Sequence, residues 1–252
     1  MPRLNTKDGE QINLRIGGSG FSFKGARIEH LGATEYTLVT IAVDESGSVS
    51  GFADELRKML IMAVDACKKS PRSDNILVRV IRFSDKYPKG VDEIHGFMAL
   101  AEIDTSQYLA LKPGGCTPLC DACFSAIGAT NVYGKQLLDQ DFGVNAIAFV
   151  ITDGGENSST ATMEMVKKEA AKAVKGETLE SIITVLVGIN ASECPGELAN
   201  FQKEAGMTQY IDAGEATPRK LAKLASFVSR SVSSQSQALG TGGPSQNIDP
   251  TI

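Results

Sequence analysis

What the chain has little of narrows its chemistry first. No apolar stretch approaches the ~20 residues that a membrane-spanning helix needs, because charge or glycine interrupts each one. The opening residues Met1-Pro2-Arg3-Leu4-Asn5 carry no apolar secretory core, so a cytoplasmic location and no membrane contact are expected. Basic charge is scarce. The 25 Lys and Arg against 30 Asp and Glu leave a net charge of −5, with a pI near 5.2. Without a basic stripe, binding of nucleic acid through a broad positive surface is not expected. There are two histidines, His30 and His95, and neither has nucleophile or metal-ligand spacing, so both read as structural or surface residues. The five cysteines are an odd number, which suits reduced thiols better than a disulfide framework. Cys116, Cys120 and Cys123 resemble part of a zinc or iron–sulfur site in spacing, but Cys67 and Cys194 lie far off in sequence. Cys120 and Cys123 are therefore expected in the core, and Cys116 at an exposed rim. Gly17-Gly18-Ser19-Gly20 lacks both a G-K-[ST] ending and a following helix, so it reads as a hairpin turn and not a phosphate loop.

What is present fits one large α/β domain: 252 residues, 26.7 kDa and 42% hydrophobic. Tyr36 to Val43 is a nearly continuous β-branched run, as in a central parallel strand covered on both faces. Gly51 to Cys67 has apolar residues at helical spacing, with acids early. Asn75 to Ser84 reads as a second strand, and the segment through Met98 as an edge strand. A helix from Thr117 to about Tyr133, a strand from Ala146, a helix over Thr162 to Val174 and a strand from Ile182 to Ile189 follow. A helix, a short strand and a last helix then reach about Ser231. Such alternation predicts a doubly wound, mostly parallel sheet with helices on both faces and right-handed crossovers. Residues 1–34 are expected to form an added β-hairpin, residues 35–231 the main domain, and the Ser-, Gln- and Gly-rich residues 232–252 a disordered tail.

The strand ending at Val43 runs into Asp44-Glu45-Ser46-Gly47-Ser48. Alternation lets Asp44, Ser46 and Ser48 converge while Glu45 and Gly47 turn away. Oxygen-only donors with one carboxylate select a hard cation, Mg²⁺ or Mn²⁺ ahead of Ca²⁺. On its own, the segment reads equally well as a capped helix start. Thr117 follows Gly114-Gly115-Cys116 and precedes Pro118, which places a hydroxyl at another helix start. The apolar run Ala146 to Thr152 ends in Asp153-Gly154-Gly155-Glu156-Asn157. Open α/β sheets bind ligands outside the carboxyl ends of their strands, where these residues belong.

In order and separation, these residues resemble the von Willebrand factor A (vWA) family. Its metal-ion-dependent adhesion site (MIDAS) combines D-x-S-x-S, a later Thr, and an Asp closing the next central strand. The resemblance spans roughly residues 35 to 231. It implies a six-stranded sheet with one antiparallel edge strand, and Asp44, Ser46, Ser48, Thr117 and Asp153 as the metal site. Ser46 and Ser48 would be direct ligands, with Asp44 and Asp153 acting partly through water. A cation so held accepts an Asp or Glu from a partner protein, which implies an adaptor or scaffold and not a catalyst. Asp85, Cys116, Glu156 and Asn157 would shape partner specificity at the rim. Stand-alone intracellular bacterial members of the tellurite-resistance-associated type are similar, and by analogy their partners are AAA+ ATPases, kinases or phosphatases. Two other functions compete. One is a structural subunit of a larger assembly with an incidental metal site. The other is a Mg²⁺-dependent phosphohydrolase, which needs a second acid two residues after its strand-end Asp, where this chain has Ser46.

Overall fold

The β-branched runs form the centre of one sheet. The computed structural model describes residues 11–175, 178–191 and 196–243. In chain order the elements are β1 (Gln11–Arg15), β2 (Ser22–Ala26), β3 (Glu35–Asp44), α1 (Ala53–Cys67), β4 (Ile76–Phe83), β5 (Val91–Ala99), α2 (Leu119–Leu138), β6 (Gly143–Thr152), α3 (Met163–Val174), β7 (Ser181–Gly188), α4 (Glu197–Ala205), β8 (Gln209–Asp212) and α5 (Pro218–Gly240). The strands are ordered β1-β2-β5-β4-β3-β6-β7-β8. From β4 to β8 every neighbouring pair is parallel, while β5 is antiparallel to β4 and β1 to β2. The fold is thus the doubly wound, mostly parallel α/β sheet expected from the alternation of elements.

Side-chain alternation along each central strand feeds two cores. In β3, Leu38 and Ala42 join the layer under α2, whereas Val39, Ile41 and Val43 join the layer under α1 and α5. α2 is buried almost all round, which its small residues allow. Cys120 and Cys123 lie in this core, with Cys123 Sγ 3.8 Å from Met207 Sδ. Among the described residues no group of three or more His, Cys, Asp or Glu could hold a metal ion. Cys194 lies outside those residues. Cys123→Ala should therefore lower stability by about 1 kcal/mol, the ordinary cost of a small core deletion, without altering bound-metal stoichiometry. Thermal unfolding and elemental analysis together check this, and loss of a bound metal would contradict the packing role.

The sheet has two more strands than six, because the hairpin β1–β2 continues it beyond β5. The antiparallel strand β5 is consequently interior and not an edge. β2 meets β5 in parallel at Gly25↔Phe97. Gly96 permits the approach, since a Cβ there would overlap the Lys24 carbonyl. Aromatic packing completes the join: Phe23 meets Phe97 edge-on at 6.1 Å, Phe97 stacks on Tyr133 at 5.0 Å, and Tyr133 Oη donates to the Ala26 carbonyl at 2.9 Å. Below them Arg79, 1% exposed, donates to Glu93 Oε2 (2.7 Å) and to the Ser125 carbonyl and hydroxyl (3.2 and 3.1 Å). Glu93, which is partly exposed, in turn accepts the Lys24 N–H at 3.0 Å, linking this pair to the hairpin.

At the other end, α5 runs to Gly240, nine residues past the expected close of the domain at Ser231. Leu221, Leu224, Val228, Val232, Gln235 and Leu239 recur at helical spacing and are all buried. A serine-rich composition conceals that stripe. The rest of the expected tail, residues 244–252, lies outside the described residues. None of the described helices is long and apolar enough to cross a membrane.

Candidate metal site

Parallel register brings three strand ends together. Asp44 pairs with Phe83 at the end of β4, and Val43 with Ile151 near the end of β6. Asp153 therefore follows β6 beside the turn that follows β3. The Asp44 carboxylate is fully buried, accepting the Ser46 N–H on Oδ1 (2.7 Å) and the Thr152 hydroxyl on Oδ2 (2.6 Å). Burial pushes its pKa up to about 6. The bonds from Thr152 and Ser46 oppose that rise, and the nearby charge of Asp153 adds to it.

Oxygen atoms continue outward from there. Ser46 Oγ is 3.0 Å from Ser48 Oγ, which donates to Asp153 Oδ1 at 2.7 Å. Ser46 is buried and Ser48 exposed, so the row passes from the protein interior to solvent. Thr117 enters from the side of α2, its hydroxyl 3.9 Å from the position a Cβ on Gly154 would take. The structure thus gathers Asp44, Ser46, Ser48, Thr117 and Asp153 at the carboxyl end of the sheet. Their donor set is two carboxylates and three hydroxyls, all oxygen. This fits a hard divalent cation with several retained waters better than it fits a soft metal.

The loop carrying Thr117 is fastened at successive residues. Ser84 Oγ donates to the Gly114 carbonyl (2.5 Å), Gly47 N–H to the Gly115 carbonyl (2.9 Å) and Cys116 N–H to Asp85 Oδ1 (2.8 Å). Gly115 has φ +76°, and any Cβ there would strike Asp85. Thr117 N–H donates to Asn157 Oδ1 (2.7 Å), and Asn157 N–H to the Thr117 carbonyl (3.2 Å). The free N–H groups opening α2 find tertiary acceptors: Cys120 donates to Glu156 (2.6 Å) and Asp121 to Ser159 Oγ (3.0 Å). Although burial raises the Glu156 pKa, the donors from Ser159, Cys120 and Ser158 hold it below its ordinary value.

Asp85 and Glu156 therefore have carboxylate oxygens committed to the loops that carry the site. Cys116 and Asn157 are exposed at its rim. Thr152 and Glu45 matter to the geometry and were not among the expected site residues. Thr152 had one signal, a polar residue closing an apolar strand just before Asp153. Glu45 turns away from the oxygen cluster, as its alternation with the donors implied, but turns into a buried network of its own.

No protein-family model matches the chain, and no curated protein does. Among solved structures, the pilus adhesin SpaC from Lactobacillus rhamnosus GG is similar with a TM-score of 0.58 and 10% identity, covering 84% of this chain and 32% of that one. The same adhesin in its open conformation gives 0.53 and 11%, over 84% and 31%. Proximal thread matrix protein 1 from the mussel byssus, described with a zinc-occupied MIDAS motif, gives 0.52 and 16%, over 79% and 46%. The chain spans 31% to 46% of the length of these proteins, and the likeness is one of fold.

Proposed function

We propose that this chain is a vWA-type binding domain that holds one divalent cation through Asp44, Ser46, Ser48, Thr117 and Asp153 and recognises an acidic residue of a partner protein. The observation that carries this reading is the row of oxygens from buried Asp44 through Ser46 and Ser48 to Asp153 at the sheet mouth. A buried carboxylate with only hydroxyl and amide partners is a poor device for stability, and a nearby cation would offset its burial. When bound, the cation would supply an electrophilic coordination position for an Asp or Glu side chain. Ser46 and Ser48 present neutral hydroxyls, which leave the cation's charge largely uncompensated. Asp44 and Asp153 provide the negative charge that retains it.

Mg²⁺ and Mn²⁺ suit this donor set first, and the zinc in the mussel protein's motif makes Zn²⁺ the necessary third titrant. A phosphohydrolase is disfavoured because the position two residues after Asp44 is Ser46, which has no carboxyl for proton transfer. The test is calorimetric titration of each metal into chelator-stripped protein, followed by capture of an Asp-containing peptide library with and without chelator. Saturable one-site binding and metal-dependent capture are expected. No saturable binding of any of the three metals would overturn the reading.

Thr117→Ala should weaken metal affinity by about tenfold while lowering stability by less than about 1 kcal/mol, because it removes one hydroxyl donor and leaves the backbone bonds to Asn157 intact. Calorimetry beside chemical unfolding checks both halves. Unchanged affinity would place Thr117 outside the site.

A further inference from the structure

We propose that Glu45 is a positioning residue of the metal site, fixing the loop that carries Thr117 against the turn that carries Asp44, Ser46 and Ser48; this rests on the metal-binding reading above. Glu45 lies between two of the oxygen donors in sequence, yet its side chain is fully buried on the other side of the turn. A buried carboxylate persists only when its lone pairs are filled. Here Tyr87 Oη donates at 2.8 Å, Lys86 Nζ lies at 3.2 Å, Arg82 Nη1 at 3.3 Å, and the Lys112 backbone N–H also donates. The backbone of the same residue adds two bonds. Its N–H donates to the Phe83 carbonyl (2.9 Å), and its carbonyl accepts the Gly114 N–H (3.1 Å).

Three segments therefore meet at one residue: the turn after β3, the loop after β4, and residues 112–117. The last of these contains Gly114 and Gly115, whose backbone freedom makes the placement of Thr117 depend on tertiary bonds, those to Glu45 joining the ones made by Ser84, Asp85 and Asn157. Glu45 holds this segment twice, once through its side chain at Lys112 and once through its carbonyl at Gly114. Lys86 strengthens the same closure, since its ammonium also donates to the Lys112 carbonyl. Arg82 is shared with Asp92 of β5 (2.9 Å), which ties the arrangement to the sheet. Residues surrounding a metal site that orient its ligands without touching the ion commonly change affinity by about 10–100-fold when altered.

A residue that merely stabilised the fold, or merely contributed negative charge near a cation, would act independently of Thr117. A positioning residue would not. The experiment measures Mg²⁺ and Mn²⁺ affinity for the wild type, Glu45→Gln, Thr117→Ala and the double variant, together with amide hydrogen exchange of metal-free wild type and Glu45→Gln. Glu45→Gln is expected to weaken affinity by about tenfold, no more than the loss expected of Thr117→Ala through which it acts. Most of that loss should vanish when Thr117 is already Ala, and exchange at residues 114–117 should quicken while β6 and α5 are unaffected. Unchanged affinity, equal losses in both backgrounds, or unchanged exchange at residues 114–117 would each overturn the proposal. If the wild type binds neither these two metals nor Zn²⁺, the proposed function fails separately, and the exchange result alone decides whether Glu45 holds the loop.

Discussion

Asp44→Asn will abolish saturable divalent-metal binding and at the same time stabilise the metal-free protein at neutral pH. An amide can replace the buried carboxylate with few losses. Its oxygen can accept the Ser46 N–H, and its nitrogen can donate to Thr152 Oγ1, whose own proton has the Gly154 carbonyl as an alternative acceptor at 2.9 Å. What disappears is the charge. A pKa raised from 3.8 to about 6 means that the folded state holds the proton more tightly than the unfolded chain does. The ionised form is therefore penalised in the folded protein by about 3 kcal/mol at pH 7. That penalty is complete above pH 6, shrinks as pH falls toward 4, and is absent below the unfolded value.

The metal-free wild type should accordingly gain stability on acidification from pH 7 to pH 4.5 relative to Asp44→Asn, and the two should converge. Metal affinity should move the opposite way, falling as pH drops through about 6 and the proton competes for Asp44. Saturating Mg²⁺ at pH 7 stabilises only the wild type, by the linkage between binding and folding. Urea unfolding at both pH values, with and without Mg²⁺, reads all of this. A variant that binds metal like the wild type, or that is less stable than it at pH 7, would contradict the placement of Asp44 as a buried metal-site carboxylate.

The second large effect lies away from the site. Glu93→Ala should cost about 3–5 kcal/mol, because it leaves the buried Arg79 guanidinium without its counter-charge. Desolvation already lowers the Arg79 pKa, while the charge and hydrogen bond of Glu93 sustain it. For a domain of this size the loss corresponds to a fall of roughly 10 °C in Tm. Adding Arg79→Met to Glu93→Ala should recover most of it, since the isolated buried charge is the main cost and not the missing bond. Metal affinity should stay unchanged in protein that remains folded, because Arg79 lies mid-strand in β4 and packs on Ser125, apart from the oxygen cluster. A fall of less than about 1 kcal/mol on Glu93→Ala would show that water reaches Arg79 and satisfies it. A matching loss of metal affinity would mean that the hairpin and the site are coupled through the sheet.

Much of the site's placement was legible before the structure because it depends on local pattern. The β-branched run before Asp44 and the apolar run before Asp153 each mark a strand covered on both faces, and adjacent parallel strands put their ends side by side. The D-x-S-x-S spacing sends its three oxygens one way by alternation alone. The start of α3 was equally local: Thr162 accepts the Met165 N–H three residues on. The edge position given to β5 was not secure, because whether a strand is an edge depends on what pairs beyond it. Here that is a hairpin whose docking rests on Gly96 and on aromatic contacts among Phe23, Phe97 and Tyr133. The helical stripe after Ser231 was missed because its buried positions include Gln235, Ser236 and small residues that composition assigns to solvent.

Thr117 was joined to the site by the family resemblance; by itself, the sequence determined the alternating α/β class, the central strands, and Asp44, Ser46, Ser48 and Asp153 at the ends of β3 and β6. Each follows from periodicity and short-range turn chemistry, which a linear chain records directly. The tertiary structure alone decided the eight-stranded sheet, the commitment of Asp85 and Glu156 to neighbouring loops, the support of Asp44 by Thr152, and the burial of Glu45. Each of these is a hydrogen bond or packing contact closed across long separations, 36 residues from Cys120 to Glu156, 67 from Glu45 to Lys112 and 108 from Asp44 to Thr152. A sequence states which groups can donate or accept, and only the folded chain states which of them meet.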